Sequence, residues 1–84
     1  MADPVAWKVI EHGWAVVDDE GEDVGKVHEV LGDPNADIFN GLVIHTGLLA
    51  NKYVPSELVG EITEGRVLLL RSKDEIEALE EPGP

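Results

Sequence analysis

Short runs of apolar residues, many alternating with polar ones and separated by glycine-containing turns, predict strands over most of this chain. Trp14-Ala15-Val16-Val17 reads as the first strand, and the acidic run Asp18 to Asp23, interrupted by Gly21, reads as the turn that follows. Val24 to Leu31 resumes the strand pattern. Val24, Val27 and Val30 fall out of step with a period of two, which predicts a bulge or strong coil near Gly25 or His28. The same spacing would suit a helix, but the valine content and flanking glycines favour a strand. Gly32 to Asp37 is a loop by composition. Ile38 to Thr46 forms the central strand, with Leu42, Ile44 and Thr46 on one face and Val43 and His45 on the other. Gly47 to Asn51 turns the chain into a short strand at Tyr53 and Val54, which Pro55 ends by withholding a ladder donor. The stretch Asp37 to Pro55 is thus an antiparallel hairpin around which the rest is arranged.

Further along, Ser56 to Gly60 can form one helical turn, with Ser56 as N-cap and Gly60 as stop. Glu61-Ile62-Thr63 is a short strand, Glu64-Gly65 a tight turn, and Arg66 to Arg71 the last strand. The four consecutive apolar residues Val67, Leu68, Leu69 and Leu70 ask for cover on both faces of that strand. Ser72 and Glu75 have capping-box spacing and open a short helix to about Leu79, with Ile76 and Leu79 on its buried side. Such a helix would shield part of the outer face. At the other end, Val5, Trp7 and Val9 alternate with polar or small neighbours. Either this is a loosely ordered terminus whose Trp7 covers exposed barrel surface, or it is an extended arm that crosses to a partner subunit. The organisation is an N-terminal arm (1–12), one domain (13–80) and a tail (81–84) expected to be disordered. The fold class is mainly β: a small antiparallel β-barrel of about six short strands with a short C-terminal helix.

At 84 residues the chain is one domain, and a domain of this size buries only roughly 60–65% of its unfolded surface. It has no cysteine, so neither a disulfide nor a Cys/His zinc site staples it. Stability must come from an efficient core, from self-association, or from both. The opening MADPVAWKVIEHGW carries Asp3 and no long apolar core, so no signal peptide is expected. No apolar run approaches the ~20 residues of a membrane span. A soluble, cytoplasmic protein is expected. Eighteen acids against six Lys and Arg give a formal charge of −12, which repels phosphate backbones and anionic lipid faces. Neither nucleic acid nor membrane is the expected partner.

Candidate chemistry narrows quickly. The five acids between Asp18 and Asp23 could hold a cation, but their ordinary reading is a solvated hairpin tip. Asp33, Asn35 and Asp37 match the first three ligand positions of an EF-hand loop. Ile38 then stands where that loop needs glycine, and Ile44 where it needs a bidentate glutamate. An Asx-type turn is the simpler account, with weak cation binding as the alternative. His12, His28 and His45 lack helical spacing; His28 and His45 could meet across a sheet and bind a transition metal, or lie on the barrel rim. Ser56 and Ser72 both sit where helix N-caps are needed, without a nucleophile elbow. Gly25-Lys26 resembles the end of a P-loop, but Val27 replaces its Ser/Thr and Glu20 its first glycine. No catalytic residue, metal site or cofactor is expected.

Four pieces, in order, carry a family resemblance: Val24-Gly25-Lys26-Val27 after the acidic turn, Ile38-Phe39 with Gly41-Leu42-Val43, Tyr53-Val54-Pro55, and Ile62 with Gly65-Arg66-Val67. From Gly13 to Leu70 the chain resembles the PRC-barrel domain, the family of the cytoplasmic part of the photosynthetic reaction-centre H subunit. It is also similar to the C-terminal domain of the ribosome maturation protein RimM. The resemblance implies a compact β-barrel used for binding or assembly. It transfers no catalytic residue, since the shared positions are turn and core positions. A counterpart of the H subunit's transmembrane helix or of RimM's N-terminal domain is not expected.

The functional expectation is a non-enzymatic module that self-associates, most simply as a dimer, or holds an unidentified protein partner. Its interface would draw on Trp7, Leu48, Leu49, Val67, Leu68, Leu69 and Leu70, since surplus apolar surface on so small a protein marks an interaction site. The alternatives are a small-molecule or ion-binding domain, with the site at the barrel mouth or acidic loops, and an RNA-metabolism accessory by analogy with RimM.

Overall fold

A computed structural model of the protein describes residues 5–47 and 50–79. Six strands form one sheet: β1 (Ala15–Val17), β2 (Asp23–Asp33), β3 (Ile38–His45), β4 (Asn51–Pro55), β5 (Val59–Thr63) and β6 (Arg66–Leu69), in the order β4-β3-β2-β1-β6-β5. All neighbours are antiparallel except β1 and β6, which run parallel. The sheet is barrel-like but not closed, because β4 and β5 remain its two edges. The patterning predicts the strands; it does not predict the parallel pair, which follows from β6 returning beside β1 after four intervening strands.

β2 is the element that bends the sheet. Its register with β3 shifts between Val27 and Glu29, leaving His28 as the extra residue, and again between Leu31 and Gly32. The out-of-step valines thus mark a true bulge, which kinks a strand and increases its twist. Two glycines permit the close approach that coiling demands. A Cβ on Gly25 would overlap the carbonyl oxygen of His45, and one on Gly41 would overlap that of Val54.

Coiling turns one row of every strand inward. Val16, Val24, Val27, Leu42, Ile44, Val54, Ile62, Val67 and Leu69 form a single core, completed by Ile10 from the arm and Ile76 from the C-terminal helix. Val43 is also buried, although alternation assigns it to the opposite face from Leu42 and Ile44. Its strand is central, flanked across the ladder by Glu29 and Tyr53.

The helix α1 (Lys73–Glu77) starts as predicted, with the Ser72 hydroxyl accepting a bond from the Glu75 N–H at 3.3 Å. Ile76 is fully buried and Leu79 packs against the core. The helix meets β2 and β4, so it completes the core instead of covering the outer face of β6. Ser56 departs from expectation. It lies inside a 3₁₀ turn (Ser56–Leu58) whose N-cap position is Pro55, and no side chain caps it. The strand-ending proline already sets an extended residue before the turn, so a capping hydroxyl one place later is out of position.

Candidate functional site

The last hairpin divides the apolar run expected to form an interface. Val67 and Leu69 point into the core and are fully buried, whereas Leu68 is half-buried and Leu70 is 46% exposed. Period-two geometry forces this split, because adjacent strand residues face opposite ways. On the outer face, Leu68 lines a small hollow of about 110 Å³ with Glu61, Thr63 and Arg66. Leu70 lies over Gly60, where an added methyl would strike its Cδ2. Two leucines with one acid and one base close by thus form a polar-rimmed apolar patch.

Trp7 sits elsewhere. The arm's Val5 N–H donates to the Ile62 carbonyl at 2.7 Å, tying the arm to edge strand β5. A 3₁₀ turn (Trp7–Val9) then brings Trp7 onto Phe39, with the rings stacked at 5.1 Å and 14°. The Trp7 Nε1–H donates to Asp37 Oδ1 at 3.1 Å, and Lys8 Nζ lies 3.5 Å from the same oxygen. These contacts set Trp7 against the domain's own surface. Leu48 and Leu49 lie outside the described residues, as does the tail 81–84.

The acidic turn after β1 holds the residue that sequence patterning missed. Asp18 is not part of a solvated tip; it is only 2% exposed. Its Oδ1 accepts from the backbone N–H groups of Glu20 (2.9 Å) and Glu22 (2.8 Å), and its Oδ2 from that of Lys73 (3.0 Å). Burial alone would push the Asp18 carboxyl up, but the three donors outweigh it. Its pKa therefore lies below the ordinary 3.8. One carboxylate thus closes the turn and fixes the start of α1. A signal was present: Asp18 shares the parity of Val16, so the inward row of β1 runs straight into it.

The remaining candidates resolve into local roles. Asp33 Oδ1 accepts from Asn35 N–H (3.0 Å) and Ala36 N–H (3.4 Å), an Asx turn, while Asp37 is spent on Trp7 and Lys8. His28, set out by the bulge, meets His12 edge-on at 5.8 Å, whereas His45 Nδ1 bonds Asn51 Oδ1 at 2.9 Å. His28 and His45 thus have different side-chain neighbours. Among the described residues no group of three or more His, Asp or Glu side chains could hold a metal. Ser72 is occupied as a cap, and Lys26 is exposed on β2 opposite His45. No helix among the described residues is long and apolar enough to cross a membrane.

A coiled six-stranded sheet around one apolar core, closed by an arm and a terminal helix, defines a small barrel-like β domain. The PRC-barrel domain model matches residues 12–76, which covers β1 to β6 and most of α1. The chain belongs to the PRC-barrel domain family. None of the curated proteins matches it.

Proposed function

We propose that this PRC-barrel domain is a non-catalytic interaction module that pairs with a second copy of itself through the outer face of β5 and β6. The observation that carries the reading is the outward face of β6, where Leu70 is exposed and Leu68 half-buried beside Glu61 and Arg66. A two-fold contact places the same patch on both sides, so Glu61 of one copy can meet Arg66 of the other while the leucines pack between them. Burying about 1,000–1,600 Å² in total suffices for a specific contact. The side chains that suggested chemistry support a binding role, because Ser72, Asp18 and Asp37 are engaged in holding the fold.

The charge of −12 on each copy opposes association, so pairing tightens as salt screens it. Light scattering across a salt series is the test, with Leu68→Lys as the control expected to dissociate. A monomer mass at every salt concentration rejects the reading.

A further inference from the structure

The arm and the β5–β6 turn enclose an open cleft of about 240 Å³, lined among the described residues by Val5, Val9, Glu11, Trp14 and Glu64. Main-chain bonds hold its walls. Val5 N–H donates to Ile62 O (2.7 Å), Ala15 N–H to Gly65 O (3.0 Å) and Trp14 N–H to Glu11 O (3.3 Å). Glu11 therefore sits one tight turn from Trp14, and Glu64 lies on the facing turn. Two features stand out. Val9 is 47% exposed although the arm on either side of it is anchored. Neither Glu11 nor Glu64 belongs to the ion pairs of the described residues, which are Lys8 with Asp37 and Arg71 with Glu75.

We propose that this cleft receives a lysine side chain presented by a basic segment of a partner protein. The three apolar residues offer a bed for the four-carbon stem, which packs on apolar surface while its head stays polar. The ammonium carries three donors and no acceptor, matching a rim whose charged groups, among the described residues, are the carboxylates of Glu11 and Glu64. The Trp14 ring adds cation–π attraction. The cleft is smaller than the ~300–1,000 Å³ of sites that enclose drug-sized molecules, so it suits one side chain. The protein's charge of −12 draws in a segment carrying several positive charges more strongly than a single free amine. Self-association through Leu68 and Leu70 uses other residues, and the two proposals stand or fall separately.

The test is a titration of the ¹⁵N-labelled full chain, followed by NMR, with a basic peptide containing one central lysine. Parallel arms use the peptide with norleucine or acetyl-lysine at that position, and n-butylammonium alone. Shifts are expected at Val5, Val9, Glu11, Glu64 and the Trp14 indole, with about tenfold weaker binding for norleucine and acetyl-lysine. The double variant Glu11→Gln, Glu64→Gln, both at exposed positions, is expected to keep its spectrum elsewhere and lose a similar factor. The Leu68→Lys variant is expected to bind as the parent does, which separates this site from the dimer face. Shifts that miss these five residues overturn the proposal, as does equal binding of norleucine or of the double variant. Occupation by n-butylammonium as tight as by the peptide overturns the protein source in favour of a free amine.

Discussion

The turn from Asp18 to Glu22 and the turn from Asp33 to Asp37 both join antiparallel neighbours. In each an aspartate starts the turn and accepts from main-chain N–H groups just ahead of it, Asp18 from Glu20 and Glu22, Asp33 from Asn35 and Ala36. Their surroundings differ. Asp18 is buried and spends its second oxygen on Lys73, 55 residues away, whereas Asp33 is exposed and makes only local bonds. The long-range contact of the second turn comes from Asp37, which is itself exposed and whose partners are the half-buried Trp7 and the exposed Lys8. The number of bonds is similar in the two turns; burial is what separates them. A buried carboxylate cannot exchange its donors for water, so losing one leaves desolvated groups unpaired, while an exposed one loses little.

The largest effect is expected where the first turn meets the helix. Ile76→Ala empties a fully buried site and should cost about 3 kcal/mol in denaturant unfolding. Asp18→Asn keeps one acceptor oxygen but presents an amide N–H₂ toward the donors, and should lower Tm by roughly 10 °C. If Asp18 acts by holding α1, the double variant falls short of the sum of the singles, because a helix already loosened no longer seats Ile76. Strict additivity would break that link.

Acid unfolding sharpens the contrast next. The Asp18 pKa is lower folded than unfolded, so between the two values the unfolded chain binds more protons and stability rises with pH. The contribution of Asp18 is therefore complete above the ordinary 3.8 and is lost as pH falls through the lower folded value. Melting curves of the parent and Asp18→Asn should be well separated near neutral pH and converge below that value. Curves that stay equally separated at the acid end would remove the charge from the explanation.

The second turn supplies the small effects. Asp37→Asn should cost less than about 1 kcal/mol, as expected for an exposed ion pair, and Asp33→Ala should stay within about 1 kcal/mol for a surface site. A loss as large as that of Asp18→Asn would abolish the distinction between the turns. Calcium should produce no chemical-shift change at Asp33, Asn35 and Asp37, because the Asp33 and Asp37 carboxylates already hold the Asx turn and the arm.

Much of the fold was legible in one dimension because strand burial has a period of two and turns need particular residues. The valines of β2 fell out of phase where His28 bulges, Ser72 and Glu75 marked the helix start, and the glycines marked turns and crossings. The candidate surface was legible only in half. Val67 to Leu70 declared an apolar excess, but a sequence does not say which parity of a four-residue run faces in. The cleft beside Trp14 left no trace, since its walls come from residues near 10 and near 64.

By itself, then, the chain determined its strands, bulge, helix cap and charge, all set by neighbours a few residues apart. Only the folded sheet decided that β1 lies parallel to β6, that Asp18 holds α1, and that Leu68 and Leu70 face outward. The physical reason is that burial and hydrogen-bond satisfaction depend on what arrives from far along the chain. An aspartate bathed in water and one that anchors a helix are written with the same residue.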